Sequence, residues 1–158
     1  QILEDTLIGT FLWQWDKSER KKTHPKFYFF DCGVVRAIQN RLIDPPTSHE
    51  YGFLFETYFF HELQSLSQYN QKYFEFSYWK NRNHEIDFIV GRGGRIFCGI
   101  ECKTSRADIS GGTIDFFQRT FPGIPLYIAS ADALPARRVK NGVDILPWRD
   151  VLNMVKQL

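Results

Sequence analysis

Cysteine and long apolar runs are both scarce in this sequence, and each shortage excludes a class of protein. The 158 residues include 3 cysteines, with no CxxC pair and no Cys/His cluster at zinc-ligand spacing. No apolar run approaches the ~20 residues of a membrane-spanning helix. The apolar start is interrupted by Glu4 and Asp5 and carries no cationic leader. We therefore expect a cytoplasmic protein with reduced thiols and no membrane contact.

An excess of charge of one sign is also missing. Lys and Arg number 20 against 18 Asp and Glu, which makes the net charge +2. Any contact with nucleic acid must then come from a local patch rather than from bulk charge. Apolar residues make up 43% and aromatic residues 16% of the chain, with 15 Phe and 4 Trp. A single domain of this length can therefore build a sizeable core.

The phosphate-binding loop of P-loop proteins is absent as well. No GxxxxGK[ST] segment occurs, so we expect no ATP site of that kind in this chain. The sequence begins with Gln rather than Met, so we expect a piece of a longer protein. Nothing in the sequence indicates the oligomeric state.

Hydrophobic periodicity and turn residues predict an α/β domain with a mixed sheet. A four-residue apolar spacing predicts a helix over residues 2–15, followed by a basic loop to residue 26. The strands are predicted at 26–30, 73–80, 85–92, 95–103, 124–129 and 143–146. The later helices are predicted at 32–42, 48–68, 109–120 and 147–156.

Two acidic strands joined by Gly93-Gly94 carry the first candidate site residues. Side chains alternate along a strand, so Glu101 shares a face with Lys103, and Asp87 shares one with Glu85. If the two residue numbers of each cross-strand pair sum to about 187 in this hairpin, Asp87 lies near Ile100 and Glu101. Two carboxylates and a lysine at one strand end can bind a hard divalent cation and activate a water molecule.

The predicted long helix adds an independent acid, Glu56, inside its apolar stripe. An ionised glutamate that faces a core is costly unless it is paired or binds a metal. Two interpretations stay open at this point. Glu56 either supports a metal ion or forms a salt bridge with a lysine or arginine at the rim of the core.

Basic residues offer possible contacts with a phosphate backbone. One group surrounds the predicted acid site and comprises Lys80, Arg82, Arg92, Arg95 and Arg106. Another is a basic run close to Trp13 and Trp15, namely Lys17, Arg20, Lys21, Lys22 and Lys26. A solvated surface is the alternative explanation for both groups.

Four motifs together carry a resemblance to a known family. They are residues 25–33 (PKFYFFDCG), 52–56 (GFLFE), 85–90 (EIDFIV) and 100–103 (IECK). Their order resembles the PD-(D/E)XK nuclease superfamily. More narrowly, they resemble an uncharacterised C-terminal domain that follows an AAA-type P-loop ATPase module in many bacterial and archaeal proteins.

The resemblance extends over residues 2–150 and implies a restriction-endonuclease-like core with the order αβββαβ. It implies a helical tail of the upstream region plus a basic loop at residues 1–25, and a nuclease-like domain at 26–158. It also implies an ATPase module upstream of this chain.

The resemblance also implies roles for individual residues. Asp87, Glu101 and the backbone carbonyl of Cys102 would hold Mg²⁺ or Mn²⁺, and Glu56 would support the metal directly or through water. Lys103 would orient or deprotonate the attacking water and stabilise charge on the scissile phosphate. The expected activity is hydrolysis of DNA phosphodiesters.

One further residue follows from the same resemblance, and two other functions stay open beside the nuclease. Gln118 resembles a glutamine that exonuclease-like members place near the site, but residue 122 is Pro rather than the accompanying tyrosine. We therefore expect Gln118 only as a neighbour of the site. The alternative function is a catalytically silent module that binds DNA or a partner and regulates the ATPase. A purely structural oligomerisation domain is the third possibility.

Overall fold

The computed structural model describes residues 8–16, 23–104, 110–132 and 138–158. The strands in these segments are β1 (Gly9–Leu12), β2 (Lys26–Phe29), β3 (Glu75–Asn81), β4 (His84–Arg92), β5 (Arg95–Lys103), β6 (Leu126–Ser130), β7 (Arg138–Lys140) and β8 (Val143–Pro147). The helices are α1 (Cys32–Ile38), α2 (Ser48–Tyr69), α3 (Gly111–Thr120) and α4 (Trp148–Lys156). None of these helices is both long enough and apolar enough to cross a membrane.

A six-stranded mixed sheet forms the centre of the molecule, with the strand order β3-β4-β5-β6-β8-β7. β3, β4 and β5 are antiparallel neighbours, whereas β5, β6 and β8 run parallel. β7 pairs antiparallel with β8 at one edge. The prediction of an α/β domain with a mixed sheet is confirmed, as is the order α2, β3, β4, β5, α3, β6.

Two hydrophobic cores lie on the two faces of this sheet. One contains Phe59 of α2 and Val151 of α4, and the other contains Phe117 of α3. Strand alternation separates them, because Ile128 packs in the α3 core while the next residue, Ala129, packs in the α2 core. Helices therefore cover both faces of the mixed sheet, as in an α/β layer architecture.

The long helix α2 begins at a complete capping box. The Thr47 side chain accepts a hydrogen bond from the Glu50 backbone, and the Glu50 side chain accepts one from the Thr47 backbone. The β4–β5 turn is fixed by Gly93 and Gly94, whose φ angles are 59° and 80°. Positive φ at both central residues is the requirement of a tight hairpin turn, and glycine meets it without steric cost.

The predicted helix over residues 2–15 is wrong in the part that the structure describes. Residues Gly9–Leu12 form β1, which pairs antiparallel with β2 from Gly9↔Phe29 to Leu12↔Lys26. A Cβ on Gly9 would lie 2.3 Å from the Tyr28 carbonyl oxygen, so a glycine is needed for this close pairing. The neighbouring aromatic strand stabilises β1 by tertiary pairing, which overrides a four-residue spacing that local sequence alone cannot distinguish from a helix.

The chain after β1 continues along the outer edge of the main sheet. The Trp15 N–H donates to the Tyr78 carbonyl at 2.7 Å, and the Tyr78 N–H donates to the Trp13 carbonyl at 3.0 Å. The Gln14 side chain also donates to the Lys80 carbonyl at 2.8 Å. Residues 13–15 therefore cover the free edge of β3.

Candidate functional site

A β-bulge in β4 sets the position of Asp87. Ser77 pairs with Ile89 and Trp79 pairs with Ile86, so the single residue between them in β3 faces two residues of β4. Those two residues are Asp87 and its neighbour Phe88. A bulge of this kind changes the direction of a side chain and is typical of functional sites.

The Asp87 carboxylate lies where β4 and β5 begin to separate. Pairing between these strands extends from Arg92↔Arg95 to Phe88↔Ile100. The numbers of that last pair sum to 188, so the register at this end differs by one residue from the predicted sum of about 187. Beyond that point the Cys102 N–H donates to Asp87 Oδ2 at 2.9 Å. In a regular antiparallel pair the Cys102 N–H would donate to a backbone carbonyl of β4. Here the Asp87 side chain accepts that hydrogen bond instead.

Lys26 of β2 lies at the centre of three carboxylates from two other elements. Its Nζ is 2.8 Å from Glu85 Oε1, 3.1 Å from Glu56 Oε1 and 3.2 Å from Asp87 Oδ1. Burial alone would lower the pKa of Lys26, but the charges of Asp87 and Glu56 raise it well above its ordinary value. The Lys26 ammonium is therefore a fixed positive charge inside the acid cluster.

Neither explanation left open for the basic run, a phosphate contact or a solvated surface, describes Lys26, which is paired with three acids. Alternation along β2 puts Lys26 on the same face as Tyr28, which is 1% exposed. A lysine on a face that enters the core needs acidic partners, and this signal was available in the sequence. Sequence reasoning also missed Tyr28 as a site residue and treated Glu85 only as a residue on the face of Asp87.

Glu56 accepts two hydrogen bonds from β2. The Tyr28 hydroxyl donates to Glu56 Oε1, and Lys26 donates to the same oxygen. Of the two interpretations left open for Glu56, the salt bridge to a lysine is the contact observed. Burial and the charge of Asp87 raise the pKa of Glu56, and the Lys26 ammonium opposes that shift.

Glu101 and Lys103 of β5 form a separate pair beside this cluster. Lys103 Nζ is 2.7 Å from Glu101 Oε1, while Glu101 Oε2 is buried without a hydrogen-bond partner in the described part of the chain. Burial and the nearby Asp87 charge raise the pKa of Glu101 to about 8, against the opposing effect of Lys103. Glu101 shares a face of β5 with Gly99, whose added Cβ would meet Phe117 of α3.

The predicted acids are thus neighbours with different lysine partners. Asp87 and Glu56 bind Lys26, whereas Glu101 binds Lys103. Carboxylate oxygens are suitable ligands for a hard divalent cation, so the donor set fits Mg²⁺ or Mn²⁺. Within residues 8–16, 23–104, 110–132 and 138–158, however, no three His, Cys, Asp or Glu side chains are already grouped to hold one.

The other predicted site residues lie at varying distances from the cluster. Cys102 contacts Asp87 through its backbone N–H, whereas the metal-binding role predicted for its carbonyl stays a prediction. Gln118 is exposed on α3, and its amide nitrogen would lie 3.9 Å from a Cβ on Gly142 in the β7–β8 turn. That position makes Gln118 a neighbour of the β7–β8 edge.

The three arginines of the predicted group that the structure describes do not lie together. Arg82 is exposed in the turn before β4, five residues before Asp87. Arg92 and Arg95 flank the opposite turn, roughly 16 Å along the strand from Asp87 at about 3.3 Å per residue. Their guanidinium groups lie 5.9 and 5.5 Å from the Phe97 ring centroid. Their role in DNA binding stays a prediction, and Arg106 lies outside the described residues.

Fold and cluster together define an α/β domain with carboxylates and lysines at the end of a mixed sheet. The family described as "Domain of unknown function (DUF4143)" matches residues 51–148, more than half of the chain, and the chain belongs to this family. No curated protein and no solved structure matches the chain. The family assignment confirms the prediction of an uncharacterised domain. The matched segment includes Glu56, Asp87, Glu101 and Lys103, whereas Lys26 precedes it.

Proposed function

We propose that this chain is a Mg²⁺-dependent nuclease domain that hydrolyses DNA phosphodiesters and serves as the C-terminal part of an AAA-type ATPase. The observation that supports this proposal is that Glu56, Glu85 and Asp87 all contact the single Lys26 ammonium, at 3.1, 2.8 and 3.2 Å. A buried Glu101 oxygen without a partner in the described residues lies on the next strand. Buried acids at the end of two diverging strands are costly to stability, and a catalytic role explains why a fold would keep them.

Each residue has a role in this proposal. Asp87, Glu101 and Glu56 hold the metal with their carboxylate oxygens, and the Cys102 N–H orients the Asp87 carboxylate. The bound ion polarises a phosphoryl oxygen and lowers the pKa of water. Lys103, held 2.7 Å from Glu101, provides positive charge for the phosphate as charge develops on it. Arg82, exposed in the turn before β4, provides a further contact for the DNA backbone.

A second candidate function is favoured by one specific observation. The Lys26 ammonium already neutralises part of the acid cluster, as a permanent counter-ion would. In that case the chain is a catalytically silent module that binds DNA or a partner and regulates the ATPase. DNA binding would then persist without Mg²⁺ and weaken steeply as salt is added.

Calorimetric titration with Mn²⁺ tests the proposal before any cleavage assay. We expect saturable binding by the wild type, weakened at least about tenfold in Asp87→Asn, because that variant loses a charged ligand. Asp115→Asn is the matched control, because Asp115 is exposed on α3 and should leave the affinity unchanged. With the site loaded, DNA cleavage should be lost in both Asp87→Asn and Lys103→Met.

The same titration can contradict the proposal. Absence of binding in wild type and in all single-site variants at millimolar Mn²⁺ rejects the nuclease function. Equal binding by wild type and Asp87→Asn rejects the assigned site. Binding without cleavage in the presence of the upstream ATPase favours the silent module.

A further inference from the structure

Lys26 forms a contact in the cluster that a divalent cation would have to replace. The oxygens Glu56 Oε1 and Asp87 Oδ1 both point at its Nζ, at 3.1 and 3.2 Å. These are two of the carboxylates that the proposed function assigns to the metal. An ammonium and a divalent ion repel each other strongly at such separations, so the two cannot share these oxygens.

A third partner offers Lys26 an alternative position. Glu85 Oε1 is its nearest acidic atom, at 2.8 Å, and the Glu85 side chain is 33% exposed, against 12% for Asp87. Glu85 therefore lies on the solvent side of the cluster. Lys26 can keep this ion pair while it leaves the two more buried carboxylates.

Tyr28 keeps Glu56 in place when Lys26 moves. Its hydroxyl donates to Glu56 Oε1, and the tyrosine is fully buried two residues along the same strand. The ring packs against Phe60 of α2, with centroids 4.7 Å apart. β2 thus supplies both Lys26, which has a further acidic partner in Glu85, and Tyr28, which is a rigid hydrogen-bond donor to Glu56.

We propose that the Lys26 ammonium is a resident occupant of the divalent-cation position, and that metal binding displaces it from Glu56 and Asp87 onto Glu85. This inference rests on the proposed metal-dependent function and adds a residue that sets the metal affinity of the site. The tethered lysine lowers the apparent affinity, because each metal ion must first break two ion pairs. In the absence of metal it also offsets the repulsion among the buried acids.

Metal affinity itself is the measurement that tests this role. Mn²⁺ is titrated calorimetrically at one fixed pH into the wild type, Lys26→Met and Lys80→Met. We expect Lys26→Met to bind at least about tenfold more tightly, within the usual range of coupling between two sites. Lys80→Met is the matched control, since Lys80 binds Glu85 Oε2 at 2.8 Å but is bonded to neither Glu56 nor Asp87. Its affinity should stay within about twofold of the wild type.

The outcomes separate this inference from the function on which it rests. Equal or weaker binding by Lys26→Met, with normal binding by the wild type, overturns the role of Lys26 and leaves the metal site intact. Absence of binding in all three proteins rejects the metal site and the role of Lys26 together. Binding by Lys26→Met alone supports the role of Lys26 and shows that the native lysine blocks the site.

A second variant covers the case in which Lys26→Met does not fold. Lys26→Met/Glu85→Gln removes one cation and one anion, so the charge balance of the cluster is kept. Glu56, Asp87 and Glu101 all remain as ligands. The same gain in Mn²⁺ affinity is expected, and its absence in a folded double variant overturns the inference.

Discussion

Glu101 is a carboxyl group whose protonation is coupled to folding. Burial and the Asp87 charge raise its pKa from an ordinary 4.5 to about 8. A folded-state pKa above the unfolded one means that the folded chain binds the additional proton between these two values. Protonation of Glu101 therefore stabilises the folded chain fully below about pH 4.5, and this stabilisation is lost as the pH rises through about 8.

This linkage predicts a pH-dependent difference between wild type and Glu101→Gln in EDTA. The neutral amide has no proton to lose, so the variant should gain stability relative to the wild type as the pH rises. We expect this gain to reach about 1–3 kcal/mol above pH ~8 in urea unfolding. A difference in unfolding free energy that is constant with pH would contradict the assignment.

The sequence predicts the acids of the site better than its cation. Glu56 and Asp87 stand out because a charged residue interrupts an apolar pattern on a helix or strand. Lys26 was grouped with the four cations that closely precede it, although its position on the face of Tyr28 indicates that it needs acidic partners. Its partner Asp87 is 61 residues away, and local patterns contain no information about such a contact.

At the scale of elements, β5 and α3 approach each other closely at Gly99. An added Cβ there would lie 2.7 Å from Phe117 Cζ and 3.1 Å from Leu126 Cδ1. Both residues are buried and have little space into which they can move. Glycine thus allows α3 to pack directly on the strand that carries Glu101 and Lys103.

The matched pair Gly99→Ala and Gly52→Ala tests this packing. Gly99→Ala should destabilise the fold by about 1–3 kcal/mol through overpacking, measured by urea unfolding. In α2, a Cβ on Gly52 would meet nothing within 4 Å. Gly52→Ala should therefore stabilise the fold by up to about 1 kcal/mol through helix propensity. Equal effects of the two substitutions would show that the close approach at Gly99 is unimportant.

Long, well-delimited elements are the ones that the sequence predicts closely. The helix predicted over 48–68 is observed at Ser48–Tyr69, and the strand predicted over 95–103 is observed at Arg95–Lys103. The agreement is close because a capping box marks the start of the helix and a Gly-Gly turn marks the start of the strand. β1 was mistaken for a helix and β7 was not predicted at all. Each has only 3 or 4 residues and is stabilised by a neighbouring strand, so neither contains enough local pattern to identify it.

On the scale of the whole molecule, the acid cluster is assembled from β2, α2 and β4. β2 pairs with β1 in a two-stranded sheet, separate from the six-stranded one. Lys26 therefore reaches Asp87 only when that small sheet is docked on α2 and the main sheet. Motif order predicts which acids belong together, but only the complete tertiary structure brings this lysine to them.

Removal of the segment before residue 23 should expose one edge of the main sheet. The backbone of Tyr78 would lose two partners, the Trp13 carbonyl and the Trp15 N–H. An uncovered edge strand is a template for pairing with another chain. We expect the shortened protein to self-associate with rising concentration in light scattering, relative to the full chain. Identical scattering by both proteins would show that residues 13–15 do not protect β3.

The cover over β3 has a practical consequence for dissecting this domain. The family match begins at residue 51, which makes that position a natural place to start a recombinant fragment. Such a fragment would lack the strand that carries Lys26 as well as the cover over β3. Its acids would repel one another without their ammonium, and its bare edge would favour aggregation. An inactive or insoluble fragment of this kind would reflect where the chain was cut rather than the chemistry of the domain.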